Sequence, residues 1–357
     1  MTLTSEYDYN LPEELIAQYP AERREGSRLL VVDRKTGDIF HRQFTDIIEY
    51  LCPGDLVVLN NSKVIPARLR GANVRTGGAI EVLLIEQNSV NDWWAMLKPG
   101  RRARVGGQIH FYDRNHQKNQ ITATVIEINQ EGFRRLKFNN TADILDELDR
   151  LGEPPIPPYI QRSPDFSIDP VRYQTVFAKV PGSVAAPTAG LHFSNQVIEK
   201  LGSKGIDIAY VTLHVGVGTF APIKAQRIED HKMHNEQFEI SNETAEKINT
   251  AKALGKRVLC VGTTSIRTVE SAALECGERL KGIRGKTGLF IYPPYNFRVA
   301  DMLLTNFHLP RSTLLILVSA FASPGKTDGK ALIFKAYNEA IKERYRFYSY
   351  GDAMLII

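Results

Sequence analysis

Between about residues 63 and 139 the chain is one strand-type run after another with no helix in between, and this block constrains the fold more than any other feature. The runs fall at 64–74, 79–86, 93–98, 108–112, 121–128 and 133–138, several of them separated by Gly77-Gly78, Pro99-Gly100 or Glu131-Gly132. In Thr122-Ala-Thr-Val-Ile-Glu-Ile128 and Arg134-Arg-Leu-Lys-Phe138 polar and apolar residues tend to alternate, as in half-buried strands. Several such strands in succession predict a small barrel or sandwich.

On either side the texture is α/β. Residues 29–33 and 55–60 read as strands, with a helix at 45–51 ended by Pro53-Gly54. A helix at 143–151 leads out of the block into Glu153-Pro-Pro-Ile-Pro-Pro158, a stiff extended connector. Beyond it Ser194 caps a helix ending near Gly202, and strands at 206–213 and 257–261 alternate with helices at 243–254 and 265–276. The apolar run at 314–320 reads as a further strand, and Asp328 as the cap of a last helix carrying Leu332, Ala336, Ala340 and Ile341. With 357 residues, too many for one ordinary core, the expectation is a discontinuous mixed-sheet α/β domain (1–60 plus 151–357) interrupted by an inserted all-β barrel (61–150).

The balance of 43% hydrophobic and 24% charged residues is that of a folded, soluble protein. No apolar run reaches the roughly 18 residues that cross a bilayer, and the start of the chain lacks the basic and apolar pattern of a signal peptide. A cytoplasmic protein without a membrane partner is expected. The three cysteines, Cys52, Cys260 and Cys276, show no paired spacing, which argues against a disulfide framework or a thiolate zinc site. Each is expected to sit as a small apolar side chain. The net charge is only +5, but residues 61–140 hold 13 Lys/Arg against 6 Asp/Glu. Such a surplus attracts phosphates, or is an ordinary solvated surface.

Four stretches are rich in Gly, His, Thr and Asn where a plain core would not want them: Ala185-Ala-Pro-Thr-Ala-Gly-Leu-His-Phe193, Thr212-Leu-His-Val-Gly-Val-Gly-Thr-Phe220, Gly262-Thr-Thr-Ser-Ile-Arg-Thr268 and Thr305-Asn-Phe-His-Leu-Pro310. In the third, a buried-type strand runs through Gly262 and hydroxyl residues into a helix, whose first N–H groups can hold a carboxylate or phosphate; Thr264 as a simple N-cap is the plainer reading. Gly216 and Gly218 let backbone approach a flat ligand, or mark a tight turn. His192, His214 and His308 all lie in these stretches, which favours a shared site over three separate core histidines. His231 and His234, three apart with Glu236 nearby, fit no established zinc signature and read better as a polar acid/base strip than as a metal site. Arg101, Arg102 and Arg104 can grip phosphates or form a solvated turn.

Taken in order, these stretches resemble the S-adenosylmethionine:tRNA ribosyltransferase-isomerase family of queuosine biosynthesis. The resemblance also rests on Tyr7-Asp-Tyr-Asn-Leu-Pro-Glu-Glu-Leu-Ile-Ala-Gln18, Ser27-Arg-Leu-Leu30, Pro53-Gly-Asp-Leu56, Val64-Ile-Pro-Ala-Arg-Leu69, Pro157-Pro-Tyr-Ile160, Tyr173-Gln-Thr-Val176, Asp230-His231 with Met233-His234, and Tyr345-Arg-Phe-Tyr-Ser-Tyr-Gly-Asp-Ala-Met354. It departs at Asn61-Ser62-Lys63, where Asp-Thr-Arg is usual, at Ala221, where Arg is frequent, and at Pro294, where Gly is frequent.

The resemblance implies a large α/β domain with a β-barrel insert. It further implies an enzyme that moves the ribosyl group of S-adenosylmethionine, a co-substrate, onto 7-aminomethyl-7-deazaguanine at the wobble position of a tRNA with a GUN anticodon. Epoxyqueuosine-tRNA, adenine and methionine are the products, and neither a metal nor a further cofactor is implied. On this reading Thr263, Thr264, Ser265, Gly216 and Gly218 are placed against the donor. His192, His214 and His308 are the acid/base candidates, with His231, His234 and Asp352 in reserve, and Arg68, Arg101, Arg102 and Arg104 face tRNA phosphates. A monomer is the default. The rivals are a methyltransferase using the same donor on RNA, and a non-catalytic RNA-binding protein.

Overall fold

A computed structural model describes residues 2–161, 169–216 and 223–357. It separates into two compact units: Met1–Ser62 with Pro158–Val180 and Ala186–Ile357, and Lys63–Pro157 with Pro181–Ala185. In chain order the strands begin with β1 (Arg28–Val32), β2 (Ile39–Gln43), β3 (Leu56–Asn60) and β4 (Ser62–Val64). There follow β5 (Arg68–Asn73), β6 (Ala79–Ser89), β7 (Asp92–Lys98), β8 (Gln108–Tyr112), β9 (Lys118–Ile128) and β10 (Arg134–Asn139), then α1 (Ile144–Leu151) and β11 (Gly152–Glu153). The rest comprises α2 (Asp169–Arg172), β12 (Val180–Ser183), α3 (Asn195–Ser203), β13 (Asp207–Leu213), β14 (Glu236–Ile240) and α4 (Asn242–Ala253). It ends with β15 (Val258–Val261), α5 (Gly262–Cys276), β16 (Ile283–Thr287), β17 (Met302–Asn306), α6 (Thr313–Ala322), α7 (Gly329–Lys342) and β18 (Ala353–Ile356).

The small unit is a closed barrel. Its strands run β5-β6-β7-β10-β9-β8, all antiparallel, and β8 returns to β5 through Gly71↔Phe111 and Ala72↔His110. At that seam a Cβ on Gly71 would stand 2.5 Å from the His110 carbonyl oxygen, so only glycine allows closure there. Closure removes the exposed strand edges that an open sheet of this size would leave. Inward residues such as Val82, Trp93, Phe111, Val125 and Leu136 are fully buried and fill the interior.

The large unit is built on a nine-stranded mixed sheet, order β16-β14-β13-β3-β15-β17-β18-β1-β2. Its central strands β13, β3, β15 and β17 are parallel neighbours. β3, β15 and β17 are buried along their whole length and are accordingly mostly Val, Leu and Met, the composition of strands covered on both faces. Leu29, Val31, Val57, Leu59, Leu259 and Leu304 pack with Phe44, Ile47, Phe193 and Val197 in one core cluster. The mixed-sheet α/β class with a β-barrel is therefore what the uninterrupted strand block and its α/β flanks predicted.

Four local expectations are corrected. Residues 314–320 lie in helix α6, not in a strand: Ser312 caps it through a 3.2 Å bond from Leu315 N–H, and the helix is buried almost all round. Full burial erases the 3.6-residue period that separates helix from strand. The helix expected at 45–51 is a 3-10 helix, Phe44–Tyr50. Asp328 occupies the N-cap position of α7, but its side chain makes no capping bond. Cys260 is buried as an apolar side chain, whereas Cys52 is exposed.

Candidate active site

Because β13, β3, β15 and β17 run in the same direction, their carboxyl ends share one edge of the sheet, the usual place for a ligand crevice in an α/β fold. A crevice of about 380 Å³, counted to its open mouth, lies here in the large unit; Thr188, Gly262, Thr263, Thr264, Thr305 and His308 line it, with Val215 and Leu314 as apolar wall. β15 enters α5 through Gly262 at φ +86°, a conformation that favours glycine. The 15-residue helix so begun presents its first unpaired N–H groups and partial positive charge at its N-terminus. The Thr264 hydroxyl is buried without a hydrogen-bond partner. Ser265, by contrast, is fully buried, donates its hydroxyl to the Val261 carbonyl at 2.7 Å, and is not part of the lining.

His308 is held on all sides. Its Nε2 lies 2.7 Å from the Thr305 hydroxyl, its N–H donates to the Tyr337 hydroxyl at 2.9 Å, and its carbonyl accepts from the Tyr9 hydroxyl. Burial pushes the ring pKa down to about 3, so the imidazole is neutral. His192 sits at the end of the 3-10 turn Thr188–His192 with both nitrogens engaged, Nδ1 at 2.7 Å from Ser27 Oγ and Nε2 at 3.3 Å from Asn306 Nδ2. That amide also donates to the Tyr348 carbonyl, which fixes its orientation; Nε2 therefore accepts and Nδ1 carries the proton. Burial first, and then the Arg346 charge, brings the pKa of His192 to about 3. His214 follows β13, donates its N–H to the Gln237 carbonyl at 3.0 Å, and has a buried Nδ1 without a partner. Its pKa falls to about 4, mainly through burial and then through Arg284.

The other predicted residues are dispersed. Gly216 N–H donates to Glu236 Oε1 at 2.9 Å, while Gly218, like Ala221, lies outside the described residues. His231 is half-buried, edge-on to Phe290 at 5.3 Å, and its pKa is lowered by burial and then by His234, which is exposed. Neither lines the crevice. Among the described residues no group of three His, Cys, Asp or Glu is placed to hold a metal ion. Asp352 accepts the N–H groups of Arg28 at 2.9 Å and Arg346 at 2.8 Å and is a buried fastener outside the crevice. In the small unit Arg68 is half-buried, 3.9 Å from Glu81, with a buried Nε that has no partner. Arg102 donates to the Ala79 carbonyl at 2.8 Å, and Arg101 and Arg104 are exposed.

Sequence reasoning missed the pair Glu236–Arg267, an ion pair with side chains 6% and 4% exposed whose carboxylate also holds Gly216. The available signal was an arginine in the first half of a helix that otherwise holds mostly small and apolar residues and two glutamates. Asn306, which orients His192, was visible only as a member of its stretch.

Known proteins share both the sequence and the architecture. A sequence model of the family described as "Queuosine biosynthesis protein" matches residues 4–356. The chain is 51% identical over 353 residues to an S-adenosylmethionine:tRNA ribosyltransferase-isomerase of Clostridioides difficile strain 630, covering 99% of both chains. It is 50% identical to the one of Halothermothrix orenii strain H 168, again over 99% of each. A crystal structure of an S-adenosylmethionine tRNA ribosyltransferase from Thermotoga maritima, 40% identical, aligns over 99% of this chain and 100% of that one with a TM-score of 0.56. A likeness that runs from the first turns to the last strand, at half identity and leaving almost nothing of either chain unmatched, makes this chain a member of the S-adenosylmethionine:tRNA ribosyltransferase-isomerase family of queuosine biosynthesis.

Proposed function

We propose that the chain transfers and isomerises the ribosyl group of S-adenosylmethionine onto 7-aminomethyl-7-deazaguanine at the wobble position of a tRNA with a GUN anticodon, releasing adenine and methionine. The observation that carries this reading is the crevice itself: helix-start amides, the unpartnered Thr264 hydroxyl and a neutral imidazole meet at the carboxyl edge of the sheet, in a chain half identical to ribosyltransferase-isomerases along its whole length. The donor's sulfonium acidifies the adjoining ribose C5′ hydrogen, so a modest base suffices to remove it. Of the candidate histidines only His308 lines the crevice; its neutral ring makes it the candidate base, one that burial makes weaker than a free imidazole.

The carbanion breaks the C4′–O4′ bond and expels adenine, which takes up the proton the base removed, leaving a C1′ aldehyde and a vinyl sulfonium. The unprotonated acceptor amine adds to the vinyl group at C4′ and gives up a proton, the regenerated C5′ carbanion bonds to C1′, and the resulting alkoxide displaces methionine from C5′ to close the epoxide. Thr263, Thr264 and the N-terminus of α5 hold the donor, and the apolar wall of Val215 and Leu314 keeps water from the reactive species. The wobble nucleotide has to be splayed from the loop stack to reach the crevice. No metal or added cofactor takes part, and the enzyme works as a cytoplasmic monomer; among the described residues no helix is long and apolar enough to cross a membrane.

The test is incubation with tRNA bearing the deazaguanine and donor labelled in its ribose. Transfer predicts label in the RNA with adenine and methionine released in equal amounts. A methyltransferase yields S-adenosylhomocysteine and a methylated RNA, and a binding protein yields neither.

A further inference from the structure

A second, smaller cavity of the large unit is lined by Arg24, Arg172 and Arg346 together with His192, Ser349 and Tyr350. The three guanidiniums come from distant segments and are aimed by backbone carbonyls. Arg24 donates to Val171 at 3.0 Å and Leu191 at 3.4 Å, Arg172 to Glu22 at 3.1 Å and to Ala21, and Arg346 to Tyr19 at 3.2 Å and Tyr350 at 2.9 Å. Neutral acceptors orient the cations without cancelling their charge. Among the described residues two carboxylates lie nearby, and both have other work. Asp169 accepts from the Tyr350 hydroxyl at 2.7 Å; Asp352 accepts two main-chain N–H groups and reaches Arg346 Nε only at 3.9 Å. Neither Arg24 nor Arg172 pairs with a carboxylate among the described residues, and burial followed by the Arg172 charge lowers the pKa of Arg24, as for a cation short of counter-charge.

The geometry points to a phosphate site: we propose that this cavity binds one phosphodiester of the tRNA strand beside the nucleotide being modified. The inference rests on the reading under Proposed function. Guanidinium groups match phosphate oxygens in pairs, and contacts of this kind set the register of a nucleic acid on its protein. Position supports the assignment. The turn Thr188–His192 begins in the crevice at Thr188 and ends in the arginine cavity at Leu191 and His192. Ala189 also lines the crevice, so at about 2 Å rise per residue the two places are roughly 4 to 8 Å apart along it, on the scale of a nucleotide from base to backbone. A base delivered to the crevice thus brings a neighbouring phosphate to the arginines.

The experiment measures binding of an anticodon stem-loop carrying 7-aminomethyl-7-deazaguanine, without donor, across a salt series. For Arg24→Gln and Arg172→Gln we expect about tenfold weaker binding at low salt. The slope of log affinity against log salt should become shallower by about 0.7, one single-strand phosphate contact. Arg24→Lys should recover most of the slope, and the donor's Kd should change less than twofold.

A second measurement needs no variant. Neutral methylphosphonate is placed at each loop linkage in turn and tested against the unaltered protein. One linkage flanking the wobble nucleotide should lose about tenfold, and the same linkage should cost nothing further in Arg24→Gln. A raised donor Kd with unchanged RNA binding would give the cavity to the donor's carboxylate and overturn the proposal, as would a scan in which no linkage responds. If ribosyl transfer fails while one linkage still responds, the reaction is misassigned and the cavity stands. Normal transfer with no responsive linkage removes the cavity alone.

Discussion

The carboxylate of Glu236 holds Arg267 with one oxygen and the N–H of Gly216 with the other, joining strand β14 and helix α5 to the segment that leaves β13 beside the crevice. The pair is buried, so its value lies in what happens when it is broken. Glu236→Gln leaves the arginine charge uncompensated in the interior and should cost about 3–5 kcal/mol. Replacing both residues by apolar ones of similar volume should cost far less. Urea unfolding of the two variants decides it, and equal losses would contradict the account.

His308 is predicted to matter for the chemical step and His192 for the shape of the site. His308→Gln should slow adenine release in a single turnover by a hundredfold or more, the range expected of a positioned acid/base group. Thr305→Val, which strips Nε2 of its 2.7 Å partner, should slow it about tenfold. His231→Ala and His234→Ala should stay near the unaltered rate, because neither ring lines the crevice. Any histidine whose loss costs less than about tenfold, roughly 1.4 kcal/mol, leaves the catalytic set.

Stability should fall as the pH drops below neutrality. Burial depresses His192 and His308 from 6.5 to about 3 and His214 to about 4. Between about pH 6.5 and 4 the unfolded chain therefore takes up protons that the native rings refuse. Each such ring removes about 1.4 kcal/mol per pH unit inside that window, and full stability is present above it. Urea titrations at pH 7, 6 and 5 measure the slope, and in His308→Gln it should shrink by about a third. An identical slope would contradict a neutral buried His308.

Asp352 should prove structural. It ties the start of β1 to the segment before β18 through two main-chain N–H groups. Hydrogen bonds to a charged group contribute about 1.5–3 kcal/mol each. Asp352→Asn should accordingly lower the melting temperature by several degrees yet leave single-turnover adenine release within about threefold when folded. A large loss of rate in folded protein would return Asp352 to the acid/base set.

Much of the fold was legible because period and punctuation agree with it. The barrel strands alternate on a half-buried surface, and Ser194 caps its helix through Val197 N–H as its position suggested. α6 was misread because a helix buried on nearly every side has no polar face to reveal its turn. The crevice was legible in part, since Gly262 and its hydroxyls mark a strand-to-helix turn by chemistry alone. Ser265 falls outside the lining because its hydroxyl is spent one turn back, on the carbonyl of Val261. The arginine cavity was not legible at all: Arg24, Arg172 and Arg346 belong to three segments with no shared motif, and only the folded chain brings them together.

The central claim is that this chain moves a sugar onto RNA, and following the sugar carbons tests it most directly. With donor labelled separately in ribose and methyl, and tRNA carrying the aminomethyl-deazaguanine, ribose label should enter the RNA while methyl label leaves with methionine. Methyl label in the RNA, or none of either in folded protein that binds both substrates, would contradict it.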